Sequence, residues 1–247
     1  MPMDSHVDWV QSGSCVNALV NFLLRLLKWP VALGALVVLP GAVLAFKDEV
    51  EAIVDTFQTM RPFLYGAGGY TVVWMILLRP RSMREGTFWS TLEHESTHIV
   101  FALLTLNRVR ELKATSGQGG HMGYLGGGNW LVGIAPYFFP TLSVPVILVM
   151  LLLEGDGVDI ANTVLGVTVA YHITSTYKET HRRQTDLHQV GMGFAWCFLP
   201  SANVVSYGLI AGAARNKLDG LRGYANSVWD HSQDLWLDLE EFLRSLT

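Results

Sequence analysis

The run Leu92-Glu93-His94-Glu95-Ser96-Thr97-His98-Ile99-Val100 lies inside an apolar segment, and its spacing governs how the rest of the chain is read. On a helix, residues four apart share one face, so His94 and His98 present two imidazoles to a single ion. Glu95 stands beside them, placed to accept a proton from a water that such an ion activates. The apolar character continues on both sides, through Thr87-Phe88-Trp89-Ser90-Thr91 and Phe101-Ala102-Leu103-Leu104. Ionisable groups in such a stretch are costly to bury, which gives the set a functional reading. Glu93 falls off the histidine stripe and reads as a packing or solvated residue.

Composition sets the surroundings. The 247-residue chain is 50% hydrophobic and 15% charged, with mean hydropathy +0.31. Soluble domains carry about 25% charged residues. The expectation is one all-α, polytopic domain integral to a lipid bilayer, multi-pass in a prokaryotic cytoplasmic membrane. Net charge is -4 with no basic block, which argues against nucleic acid as a partner. Cys15 and Cys197 lack metal-ligand spacing and imply no disulfide framework. Acidic Asp4 and Asp8 at the start are unlike a cleavable signal peptide.

Six segments approach the roughly 17–25 apolar residues that a span requires. They are Pro30–Phe46, Phe63–Leu78, Thr87–Leu106, Trp130–Leu153, Ile160–Tyr177 and Val190–Ala213. Residues 1–29 form an N-terminal part in which Val16–Trp29 reads as an interfacial helix, 30–213 the transmembrane core, and 214–247 a polar tail with an amphipathic helix over Ser227–Leu246. Gly66, Gly68 and Gly69 in the second segment imply close helix packing or a half-buried element. Orientation is weakly encoded. Arg79, Arg81, Arg84, Arg215, Lys217 and Arg222 favour cytoplasmic termini, while Arg108, Arg110 and Lys113 oppose them.

Val109–Gly128 is the other informative stretch. Its first part alternates like a strand, and its second is broken by glycines, including Gly119 and Gly120 beside His121. Two readings stand: a flexible surface loop, or a short strand and Gly-rich re-entrant hairpin whose edge accepts an extended peptide.

A hydrolytic zinc site needs a third protein ligand. By spacing, His121, His172, Glu179, His181, Asp186 and His188 all remain open, with His172, Glu179 and Asp186 seven residues apart. His94-Glu95-x-x-His98 in an apolar helix, then a Gly-rich turn, then a Pro-rich span, resembles the site-2-protease family of intramembrane zinc metalloproteases, in its compact M50B-like branch. The likeness covers roughly residues 87–200. It implies a Zn2+ cofactor, a membrane protein or peptide substrate, catalysis by Glu95, and a carboxylate from a later span on the metal. The family's Asn-x-x-Pro-x-x-x-x-Asp-Gly arrangement is not intact. Asn129, Pro136 and Pro140 are present, but no Asp follows in that span. The displaced ligand that fits best is Asp186, in Gln184-Thr185-Asp186-Leu187 ahead of Gly191. The likeness also suggests substrate contacts for Asn129; from the residues alone, a helix N-cap is an equal reading of it. Gly119, Gly120 and His121 complete the expected substrate-binding set. Two rivals from other classes are a membrane metal transporter or metal-binding regulator, and a catalytically silent membrane scaffold.

Overall fold

The computed structural model describes residues 5–78, 88–115, 119–125, 129–180 and 184–246. Arg79, Arg81, Arg84, Gly117, Gly126, Gly127, Gly128 and His181 lie outside the described residues. Helices dominate: α1 Ser5–Asp55, α2 Phe57–Val73 with a π turn at Trp74–Leu78, α3 Phe88–Leu104, α4 Trp130–Ile134, α5 Ser143–Met150, α6 Asp156–Glu179, α7 Thr185–Val190 and α8 Met192–Ser245. A two-stranded antiparallel hairpin, β1 Arg108–Thr115 and β2 Gly119–Leu125, is the sheet among the described residues. It packs against α3. Over the described part of the Gly-rich stretch a paired hairpin is observed, with Gly119, Gly120 and Gly123 within β2.

The six expected spans need correction. Among the described residues, two helices are long and apolar enough to cross a membrane: Cys15–Asp55 within α1, and α8. The reasons are local. The regular part of α2 runs 17 residues before its hydrogen bonding changes at the π turn, and 17 residues of α3 lie within the described chain. The fourth segment is broken by its prolines into α4, a 3-10 turn at Ala135–Tyr137, an irregular stretch at Pro140, and α5. In α6, Asn162, His172, Ser175 and several threonines dilute the apolar content of the expected span. The separate interfacial helix is also absent: Val16–Trp29 runs into the first span as one helix, with Pro30 and Pro40 inside it. Along that helix Leu19, Phe22, Leu26, Leu33 and Val37 face outward, as a lipid-facing surface requires.

Two devices hold the helices together. From Lys28, whose ammonium lies 5.2 Å from the Phe194 ring, to Glu49, paired with Arg215, α1 and α8 run side by side in the same direction. Glu49 is buried, and Arg215 grips both of its oxygens at 2.8 and 3.0 Å. Just beyond, α8 breaks at Asn216 and Lys217, where Lys217 has φ 47° and donates to the Leu153 carbonyl at 2.6 Å. The chain then doubles back, with Gly212 against Gly220 and Gly208 beneath the Tyr224 ring. The expected amphipathic tail helix is the far part of α8, with Trp229 and Trp236 exposed.

Small residues form the other device. Gly66 of α2 sits on the Thr163 carbonyl of α6, and Gly166 of α6 on the Phe63 carbonyl of α2, so the two backbones touch reciprocally. Gly68 and Gly69 face open space. Met60, Phe63, Leu165, Met150 and Ile210 pack around this contact. A second cluster joins Ala32, Trp130, Ile134, Tyr137, Leu187 and Phe194, and it is the floor beneath the site.

A methyl at Gly166 meets main-chain atoms that cannot yield. Gly166→Ala is therefore expected to destabilise by about 1–3 kcal/mol. Gly68→Ala, in open space, should be neutral or stabilise by up to about 1 kcal/mol. Thermal unfolding of both variants in detergent checks the contrast.

Candidate metal centre

Helix α3 delivers His94 and His98 one turn apart, their ring centroids 4.8 Å from each other. Both are buried, as is Glu95 between them. Opposite them is Asp186, in the first turn of the short helix α7. One carboxylate oxygen, Asp186 Oδ2, lies 3.3 Å from His94 Nε2 and 3.5 Å from His98 Nε2. One ligand atom from each of the three residues lies within 4.8 Å of the others.

The outer nitrogens are also occupied. His98 Nδ1 lies 2.8 Å from the Val132 carbonyl oxygen. A carbonyl can only accept, so the ring must donate there, and in a neutral imidazole Nε2 then carries a lone pair. His94 Nδ1 lies 2.7 Å from Glu179 Oε2, with the same consequence. Two lone pairs and a carboxylate oxygen thus converge without a hydrogen to share. Such a set is satisfied by a proton on each imidazole or by a bound cation. Donors about 2.0–2.1 Å from a common tetrahedral zinc sit about 3.3 Å apart, close to the two nitrogen–oxygen spacings to Asp186. By donor chemistry, His94, His98 and Asp186 form a set that can hold a metal ion.

In the alternative with a proton on each imidazole, burial disfavours the charge on Asp186, but the two charged, donating rings outweigh it and hold its carboxyl well below the usual carboxylate range. Tyr137 Oη adds a long contact to Asp186 Oδ2 at 3.4 Å, and its ring stands edge-on to His94 at 5.3 Å. Tyr137 owes its place to the proline-broken segment, where the 3-10 turn replaces helix and Asn203 of α8 donates to the Tyr137 carbonyl at 3.0 Å. Helix α7 is placed by Lys28 of α1, which donates to the Val190 carbonyl at 2.6 Å. It ends at Gly191, whose φ of 96° suits glycine.

The other candidates from the sequence go elsewhere. His172 is buried against Glu93, 3.4 Å away, on a different side of α3. Glu93 is thus a packing residue rather than a solvated one. His188 is exposed on α7. Glu179 touches the back of His94. Asn129 caps α4: its Oδ1 accepts from the Val132 N–H at 3.0 Å, and its Nδ2 donates to Asn21 at 2.9 Å and Thr105 at 3.1 Å. Asn17 and Asn107 extend that network across α1 and the end of α3. By backbone pairing, Gly119, Gly120 and His121 lie in β2 opposite Thr115, Ala114 and Lys113.

Sequence reasoning missed Tyr137, the Val132 carbonyl and the asparagine network. Tyr137 had one available signal, its position between Pro136 and Pro140 in a segment expected to unwind. Set beside known proteins, the chain matches no family model, no curated protein and no solved structure.

Elemental analysis of the detergent-purified chain should give near one zinc per protein for wild type. Asp186→Ala should lower it markedly, and His172→Ala should leave it unchanged. Equal zinc in wild type and Asp186→Ala would remove Asp186 from the ligand set.

Proposed function

We propose that the chain is an intramembrane zinc-dependent endopeptidase that hydrolyses a peptide bond of a membrane-associated protein or peptide. The observation that carries this reading is the convergence of His94 Nε2, His98 Nε2 and Asp186 Oδ2 on the helix that also bears Glu95. Two helices long and apolar enough to cross a bilayer support the membrane setting. The order of motifs, similar to that of site-2 proteases, supports the substrate class.

His94, His98 and Asp186 would hold the metal. A zinc ion bound there would lower the pKa of its water towards about 7 and polarise the scissile carbonyl. Glu95, buried next to His94, is the proton acceptor for the attacking water and returns the proton to the leaving amine. Val132 and Glu179 hold the two rings in the tautomer that faces the ion. A helical substrate hides its peptide bonds, so it must unwind locally. The β1–β2 hairpin, packed on α3, supplies edges against which an unwound strand can lie. Gly119, Gly120 and His121 are the candidates for that contact.

Glu95→Gln separates this function from its rivals. In liposomes carrying labelled transmembrane peptides, it should retain zinc while cleavage falls by about 10²–10⁴-fold. Cleavage unchanged by this substitution would overturn the protease reading. Zinc flux into the vesicles that survives Glu95→Gln would assign the histidines to transport instead.

A further inference from the structure

We infer that Glu179 is a positioning residue of the metal centre: it fixes the His94 ring through the outer nitrogen and helps balance the charge that a divalent ion brings into the buried site. The inference rests on the metal reading above and extends it to a residue outside the inner ligand set.

The two histidines are held differently. His98 leans on a neutral carbonyl, whereas His94 leans on a carboxylate at 2.7 Å. That pair is well shielded, with side-chain exposures of 9% for His94 and 18% for Glu179. Nδ1 and Nε2 lie on opposite edges of an imidazole ring. The oxygen of Glu179 on Nδ1 is therefore directed away from an ion on Nε2, and Glu179 acts through His94 rather than on the metal. An anionic partner on the outer nitrogen fixes the ring and makes the inner nitrogen a better donor. Glu179 also contributes to the charge balance: a divalent cation carries one positive charge more than Asp186 offsets, and Glu179 adds a negative charge behind His94, beside that of the buried Glu95.

The position of Glu179 supports this independently. It is the last residue of α6, where the helix dipole disfavours an anion. A carboxylate that breaks a local rule while contacting a buried imidazole marks a compensating role. Gly166, which locks α6 onto α2, lies on the same helix and helps set where its C-terminal end arrives.

The test is zinc affinity of the full chain in detergent, by competition with a chromogenic chelator, for wild type, Glu179→Gln and Glu179→Ala. Cobalt(II) spectra of the same proteins report the inner donors. Glu179→Gln keeps the size of the side chain and an acceptor oxygen but removes the charge. It should weaken zinc by about 10–100-fold, and Glu179→Ala by at least as much. The cobalt ligand-field bands should keep their positions, because the inner donors are unchanged. Melting of the chelator-treated proteins should stay close to wild type. Should Glu179→Gln fail to fold, Glu179→Asp carries the test, with an affinity expected below wild type because the shorter chain falls short of Nδ1. Zinc affinity within twofold of wild type in the substituted chain would overturn the inference. So would altered cobalt bands, which would make Glu179 a ligand. A wild type that binds no zinc would remove the metal reading and this inference with it.

Discussion

Two imidazole lone pairs facing one carboxylate oxygen, in a place with little water, is the constraint on which the rest of the molecule turns. Each group alone would be expensive to bury, and together they lack a hydrogen to share. A proton on each imidazole or a bound cation resolves the conflict, and the outer partners keep the imidazoles from resolving it by rotation. Val132 and Glu179 accept from the two Nδ1 atoms, so neither ring can flip without leaving a buried acceptor unsatisfied.

Much of the fold can be understood as the means of delivering those groups. Helix α3 brings both histidines by its own periodicity. Asp186 has to come from elsewhere, and it does so on a one-turn helix, α7, anchored at one end by Lys28 and released at Gly191. The prolines of the segment from Trp130 to Leu153 prevent a continuous helix. That leaves the Val132 carbonyl and Tyr137 at the level of the histidines. The asparagine network around Asn129, Asn21 and Asn107 ties α1 to both α3 and α4 at the end of that layer. In an apolar setting such side-chain bonds contribute about 0.6–2 kcal/mol each. Glycine contacts between α2 and α6, and within the doubled-back α8, let the remaining helices close around the site.

The histidine pair and Glu95 were legible because helical periodicity alone determines their relation. Asp186 was legible only with the help of a resemblance. Spacing offered several carboxylates and histidines, and which of them folds back onto α3 depends on turns that no local pattern encodes. Glu179 and His172 were visible as ionisable residues at span-like spacing. Their actual partners, His94 and Glu93, follow from side chains of α6 reaching across to α3. The Gly66 contact was half legible: close packing was one of two readings, and Gly68 and Gly69 turned out to face open space. Among the described residues, the long apolar helices are fewer than the six expected spans. The prolines shortened one segment, and the polar positions of α6 diluted another. Asn129 carried two readings in the sequence, and its side chain caps α4 in the structure.

The most direct test of this account is zinc K-edge X-ray absorption on the detergent-purified wild-type chain. The account predicts two imidazole nitrogens and oxygen donors at about 2.0–2.1 Å, with no sulfur shell. A sulfur shell at about 2.3 Å, or a zinc spectrum with no imidazole scattering, would contradict it.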